Sequence, residues 1–442
     1  MPLTQRSPMP RWFQVAVLVV LGLSIRMIFV PYPGHVVDMN ASADWSLKAA
    51  AAPWNHVYEA TDANYPPASM IFFEAIGRIY HAWAPAGDND FHLLKDLVKL
   101  PNILFDLIGI VVVYALARRF AEHVPALGAA ALFAFNPAII YDSAMWGQND
   151  TITTVSALAA LMFTVWDRRA LAWICIAFAV LAKPPVVVLV PLLALEPFTT
   201  SDPAERLRRL RGAGIGIVLA AVLGYALTAS FYTQTEPLAV IGRLIDWYRI
   251  GSALYPYTSA NAFNLWAFLP QFFLTDTTHM LFFTLKGWGN AAFVILAGAL
   301  YWHYFRARTR ASLIETAYLL MLGFFLVLTE MHERYLIYAL TIVPALAVVN
   351  PRYLWSTIAL SLTEWLNLEY SLNYMWIKND NPPGLDPYSF SPVLARLCAI
   401  TNIATFGVGV VTAREVDAVD APPLESLPAE KPAPPRSIKT GA

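Results

Sequence analysis

Long apolar runs alternate with short polar stretches along most of this chain, at the spacing of membrane-crossing helices. A helix needs about 20 residues to cross ~30 Å of hydrocarbon. Runs of that order occupy residues 13–30, 98–117, 125–142, 151–166, 212–231, 288–305, 312–330, 335–349, 353–370 and 391–411. The pattern predicts an all-α polytopic membrane protein, a bundle of about 10–12 transmembrane helices. The first run is too long for a signal-peptide core and is followed by Pro31-Tyr32-Pro33, so a retained helix is expected.

The arginines orient the bundle. Arg6 and Arg11 precede the first run, and later clusters fall at Arg118-Arg119, Arg168-Arg169, Arg206 to Arg211, Arg306 to Arg310, and Arg352. If loops rich in Lys and Arg stay in the cytoplasm, every cluster lies on the inner side. Residues 1–12 are then a cytoplasmic N-terminus, residues 13–411 the membrane domain, and residues 412–442 a disordered cytoplasmic tail. Two long segments, 31–96 and 232–287, are extracytoplasmic. In the first, the stretch from Pro66-Pro67 to Arg78 reads as a helix with proline in its first turn, lying along the interface.

Residues 170–197 are anomalous. Arginines flank both ends, so both ends are inside, yet two full crossings do not fit between them. Two short helices broken at Lys183-Pro184-Pro185 resolve the conflict. Irregular backbone at such an apex survives only where it lines a cavity.

Composition narrows the class further. The chain is 57% hydrophobic and 14% charged, against about 25% charged in a soluble domain. A net charge of -1 offers no basic surface for nucleic acid. Cys175 and Cys398 both sit in apolar runs, so neither a disulfide framework nor a zinc site is expected, and no cofactor is implied.

Three polar islands then stand out on the outer side: Asp38 to Trp45, Trp146-Gly147-Gln148-Asn149-Asp150, and His332-Glu333-Arg334-Tyr335. Each has a plain structural reading. Asp38 could be an ordinary loop acid, and Asn149 or Asp150 a helix N-cap. His332 to Arg334 could be a solvated loop, although that loop is only a few residues long. Lys183 is harder to dismiss, because a lysine inside an apolar stretch needs an anionic partner or water. Together the islands offer a carboxylate, an amide-and-acid cluster and a cationic cluster at one bilayer surface. Transfer of a sugar from a lipid phosphate needs that set: a base for the acceptor hydroxyl, and positive charge for the departing phosphate. Two carboxylates flanking the bond would instead suggest glycoside hydrolysis.

The order Asp38…Trp45, Tyr65-Pro66-Pro67, Trp146 to Asp150, Ala262-Phe263-Asn264-Leu265-Trp266 and Met331 to Tyr335 resembles the GT-C glycosyltransferases. Within them it is most similar to bacterial relatives of the GPI-anchor mannosyltransferases and to the glucosyltransferases that use dolichyl-phosphate glucose. In the latter, Tyr-Pro-Pro, Phe-Gln-Tyr-Asn and His-Glu-Lys elements occur in the same order. The likeness runs over about residues 15–350. It implies Asp38 as catalytic base, with Asp44 as a nearby competitor. It also implies that His332 and Arg334 contact the donor phosphate, with arginine standing where the family pattern has lysine; a guanidinium can grip two phosphate oxygens. Trp146, Gln148, Asp150, Asn264, Glu333 and Asp44 become candidate substrate contacts. Lys183 as a second phosphate partner follows from its depth alone.

The resemblance implies a polyprenyl-phosphate-linked donor carrying a mannose- or glucose-type hexose. The acceptor would be a glycan, a lipid-linked molecule or a protein, and the location a bacterial inner membrane. It implies no divalent metal, although Asp38, Asp44, Asp62 and Asp150 leave metal binding open. The sequons at Asn40 and Asn149 fall inside the expected site; either they lie too near the membrane to be modified or the chain is prokaryotic, and the second reading is favoured. A transporter or flippase of lipid-linked glycans is the competing expectation; it should place polar groups at mid-membrane in repeated halves, and no repeat is evident. A non-catalytic assembly subunit would leave the ionisable cluster without a purpose.

Overall fold

The first apolar run forms the helix Arg11–Phe29 and stops where Pro31 and Pro33 can no longer supply backbone donors. The structure, a computed structural model, describes residues 9–84, 91–251, 254–380 and 392–418. Among the described residues, four further helices are long and apolar enough to cross a membrane: His92–Ala117, Pro203–Ser230, Arg310–Val327 and the helix beginning at Pro392. A sixth crossing is bent by 44° between His123–Ala134 and Pro137–Trp146. There the Asn136 side chain accepts from the Ala138 amide and restarts the helix.

The expected polytopic helical architecture is therefore present, but several crossings are shorter or more broken than the apolar runs suggest. Asp150–Val165 has 16 residues and Arg169–Ala182 has 14, both below the ~20 of a full straight crossing. The run expected at 335–349 is a succession of short helical turns rather than one helix. Leu285–Ala307 and Arg352–Asp380 are long enough but less apolar. The stretch 170–197 breaks where the sequence places the break: Arg169–Ala182 ends, Lys183 is extended, and a second helical stretch runs over Pro184–Thr199. The helix Pro392–Ala418 continues past the expected start of the tail at 412, and residues 419–442 lie outside those described.

Burial sorts the helices into an inner and an outer set. The apolar window of Arg310–Val327 is 83% buried, whereas that of Arg11–Phe29 is 17% buried. On Pro203–Ser230 the apolar Ile215, Val218 and Val222 are all exposed. A continuous apolar face of this kind is covered by lipid in a membrane protein.

The first helix is tied to the bundle by a buried ion pair. Arg26 Nε lies 2.5 Å from Asp106 Oδ2, and both side chains are fully buried. Ser143 Oγ donates to the same carboxylate oxygen, and Arg26 Nη1 donates to the Ala134 carbonyl at 2.9 Å. Removing one partner of such a pair strands a charge in a low-dielectric interior, at a cost of about 3–5 kcal/mol. Arg26→Met is expected to lose stability on that scale in detergent-solubilised thermal unfolding. Arg26→Met combined with Asp106→Leu should recover most of the loss; a double variant as unstable as the single would show that the pairing is not the cause.

Two helices form a platform at one end of the bundle. Val36–Ala51 lies across Pro67–Trp83, close enough that a Cβ at Gly77 would fall 2.0 Å from the Ser46 carbonyl oxygen. The chain enters this platform through a tether in which Lys99 Nζ donates to the Val30 and Tyr32 carbonyls.

Candidate active site

Gly34 turns the chain from the tether into the Val36–Ala51 helix. Its φ of +70° is open to glycine, and a Cβ there would sit 2.6 Å from the Trp146 carbonyl oxygen. The turn brings His35 flat against Trp146, with ring centroids 4.8 Å apart and planes at 6°. One turn into the helix, Asp38 meets the second polar island. Trp146 Nε1 donates to Asp38 Oδ2 at 2.9 Å, Gln148 Nε2 donates to the same oxygen, and His35 Nδ1 lies 3.1 Å from it. Asp38 Oδ1 has no hydrogen-bond partner among the described residues. One oxygen is thus held and the other is free to receive a proton. Burial alone would push the Asp38 carboxyl up. The His35 ring and the Arg334 charge outweigh burial and hold it well below the usual carboxylate range.

The cationic side is assembled from two other parts of the chain. Lys183 emerges at the helix break, and its Nζ donates to Asp150 Oδ1 at 2.6 Å. Tyr338 donates to the same oxygen at 2.9 Å, and Arg334 Nε lies 3.4 Å from Asp150 Oδ2. Asp150, fully buried, is therefore the internal counter-ion that holds both cations in place. Arg334 also donates through Nη1 to Glu333 Oε1 at 2.5 Å. A short parallel bridge between Ser259–Ala260 and Met331–His332 fixes His332, whose ring meets Tyr255 edge-on at 4.5 Å. Burial and the Arg334 and Lys183 charges hold the His332 imidazole well below its ordinary range. At neutral pH it is therefore an uncharged hydrogen-bonding group beside the Arg334 guanidinium.

These groups open onto one cavity of about 490 Å³, within the usual range for small-molecule sites. Asp38, Gln148, Lys183, His332 and Arg334 all line it, together with the aromatic Trp45, Tyr65, Tyr255 and Tyr335. Trp247 and Tyr248, on the helix Pro237–Gly251, close one side. Glu330 is the other carboxylate on the wall, and Lys286 Nζ engages it at 2.5 Å.

Two residues expected at the site lie elsewhere. Asp44 is half-exposed and paired with Lys48 one helical turn on, at 2.6 Å, outside the cavity lining. Helical spacing explains this, because Asp44 lies six residues beyond Asp38 and projects from another face. Asn264 is fully buried; it accepts from the Trp266 amide and donates to the Phe325 carbonyl, clamping its own stretch of chain onto Arg310–Val327. Trp146, Asp150 and Glu333 sit behind the wall, holding Asp38, Lys183 and Arg334 respectively. His35 and Tyr338 were not singled out from sequence. The signal for Tyr338 was its position one helical turn after Arg334; His35 gave none beyond its closeness to Asp38. Among the described residues, no group of three or more His, Cys, Asp or Glu is placed to hold a metal ion.

One cavity in this polytopic helical protein thus gathers a carboxylate and paired cations. Residues 91–229, about a third of the chain, match the family described as dolichyl-phosphate-mannose-protein mannosyltransferase. Among solved structures, ArnT from Cupriavidus metallidurans bound to undecaprenyl phosphate is similar at 16% identity, covering 90% of this chain and 77% of its own, with a TM-score of 0.46. The oligosaccharyltransferase AglB from Archaeoglobus fulgidus, in complex with an inhibitory peptide and a dolichol-phosphate, is similar at 12% identity, covering 92% of this chain and 56% of its own, with a TM-score of 0.39. No curated protein matches the chain. The family match agrees in kind with the resemblance read from sequence, which is to glycosyltransferases that use a polyprenyl-phosphate-linked sugar.

Proposed function

We propose that this protein is an inverting glycosyltransferase that moves a hexose of mannose or glucose type from a polyprenyl-phosphate donor to an acceptor hydroxyl at the extracytoplasmic face of a bacterial inner membrane. The observation that carries this reading is a single one. One cavity joins a carboxylate with a free oxygen to two cations held by a shared buried counter-ion.

In the reaction, the acceptor oxygen attacks the anomeric carbon while Asp38 Oδ1 takes the hydroxyl proton. The bond from that carbon to the phosphate oxygen breaks, and its electron pair leaves on the polyprenyl phosphate. Arg334 and Lys183 supply the charge that stabilises this leaving group, and the neutral His332 ring supplies a hydrogen bond. No proton need be delivered to a phosphate leaving group of low basicity. His35, Trp146 and Gln148 orient Asp38, and Asp150 positions the cations.

Purified protein in liposomes, given a radiolabelled polyprenyl-phosphate hexose, tests the assignment. Label passing to a glycan or lipid-linked acceptor, with release of polyprenyl phosphate, is the expected result. Movement of intact donor between leaflets without bond cleavage would point to a flippase instead.

The neutral state of His332 has a thermodynamic signature. An unfolded histidine binds a proton below about pH 6.5, whereas His332 in the folded chain resists it. The unfolded state then binds more protons, so stability falls as pH drops from about 7 to 5. His332→Gln should flatten that slope of the thermal midpoint. Equal slopes in wild type and variant would mean that His332 is not held neutral.

A further inference from the structure

The end of the bundle opposite the cavity holds a second charged assembly. The helix Asp150–Val165 starts at the cavity and spans about 24 Å along its 16 residues, ending beside Asp167. There Arg310 Nη2 donates to Asp167 Oδ2 at 3.0 Å, and Arg169 Nη2 donates to Asp167 Oδ1 at 3.1 Å. Arg169 also grips Glu196 with two donors, and Arg209 bridges Glu196 and Glu205. Arg208 takes both oxygens of Glu205. Four guanidiniums thus share three carboxylates, and the charge of Arg119 also bears directly on Arg310. The cluster carries surplus positive charge.

Its donors are also incompletely used. Arg310 Nε and Nη1 and Arg119 Nε are buried without a hydrogen-bond partner among the described residues. Buried polar groups are nearly always partnered, and guanidinium nitrogens can only donate. A preference for arginine on the inner side accounts for these residues being at this end. It does not account for donors turned away from water and left without acceptors. An acceptor with several oxygens and at least one negative charge would complete both guanidiniums, and a phosphate meets that description.

We propose that Arg119 and Arg310 form a binding site for the phosphate group of an anionic phospholipid in the leaflet at this end of the bundle. With Arg119 counted, the guanidiniums exceed the carboxylates by two, and a singly charged phosphodiester offsets one of those charges. The level of the site, at the ends of the crossing helices Arg310–Val327 and His92–Ala117, is that of the headgroups. The site is separate from the cavity and does not depend on which sugar, if any, is transferred.

The test uses the full chain in phosphatidylcholine nanodiscs, following the thermal midpoint as phosphatidylglycerol is added. Wild type should show a saturable rise. In Arg119→Gln/Arg310→Gln the apparent affinity should fall about tenfold or more, the scale expected for losing charge-assisted hydrogen bonds. Arg308→Gln, which removes an exposed charge nearby, should respond as wild type does. Inorganic phosphate in lipid-matched discs is the second arm; an equal rise there would keep the phosphate site but overturn the lipid as its source. If wild type shows no rise, or all three proteins respond alike, the site is refuted. Arg119→Gln alone, which leaves the Arg310–Asp167 pair intact, serves if the double variant does not fold; a response identical to wild type would count against the proposal.

Discussion

Asp38→Asn is expected to reduce sugar transfer by about 10²–10⁴-fold, the contribution of a positioned general base, while leaving the fold and donor binding near wild type. The reasoning is local. The side-chain oxygen of asparagine can still accept from Trp146 Nε1 and Gln148 Nε2, so the hydrogen bonds that fix this turn of helix survive. What is lost is the oxygen that takes the proton. Asp38 is also the right acid to single out by its electrostatics. Held below the usual carboxylate range, it stays ionised as pH falls through about 4, so its contribution to activity should persist there and disappear only lower. Asp44→Asn supplies the comparison: paired with Lys48 away from the cavity, it should transfer sugar at close to the normal rate. A full rate in Asp38→Asn, or a collapse in Asp44→Asn, would reverse the assignment.

The second large effect is expected at Arg334. Arg334→Ala should lower kcat/KM for the donor by about 10²–10³-fold, the loss that follows removal of one preorganised donor to a developing negative charge. Asp150 keeps Lys183 and Tyr338 as partners, but Glu333 loses its Arg334 donor, so the variant's thermal midpoint is measured alongside its kinetics. Arg334→Lys should recover only part of the loss, since an ammonium keeps the charge but not the two-pronged geometry. Acceptor KM should change little in both. An Arg334→Ala enzyme with unaltered donor affinity would remove the phosphate from this end of the cavity.

Much of this arrangement was legible in the chain itself. The apolar runs, the arginine clusters and the break at Lys183 needed only the thickness of a bilayer and the preference of cations for one side. The convergence of Asp38, Gln148, Lys183, His332 and Arg334 was expected from the same count, which put the islands and Lys183 toward one bilayer surface. What could not be read was which side chains face the cavity and which stand behind it. Asp44 and Asp38 share an island but not a face of the helix. Asp150 looked like a substrate contact or a cap, and its role as counter-ion appears only once Lys183 and Arg334 are brought to it from 33 and 184 residues away. Asn264 lies in a motif that aligns with a site element, yet its bonds are spent on backbone groups. Such choices are made by tertiary packing, which periodicity does not record. The run at 335–349 failed for a related reason. It is apolar because it is buried inside the bundle, where short turns suffice, and not because it faces lipid.

The central claim is a single in-line displacement in which Asp38 works opposite a phosphate held by Arg334 and Lys183. The most direct measurement is the anomeric configuration of the product, read by NMR after transfer from a polyprenyl-phosphate hexose of known configuration by the purified protein. The account predicts complete inversion at the anomeric carbon, lost together with transfer in Asp38→Asn. Retention of configuration would require a covalent sugar–enzyme intermediate and would contradict it.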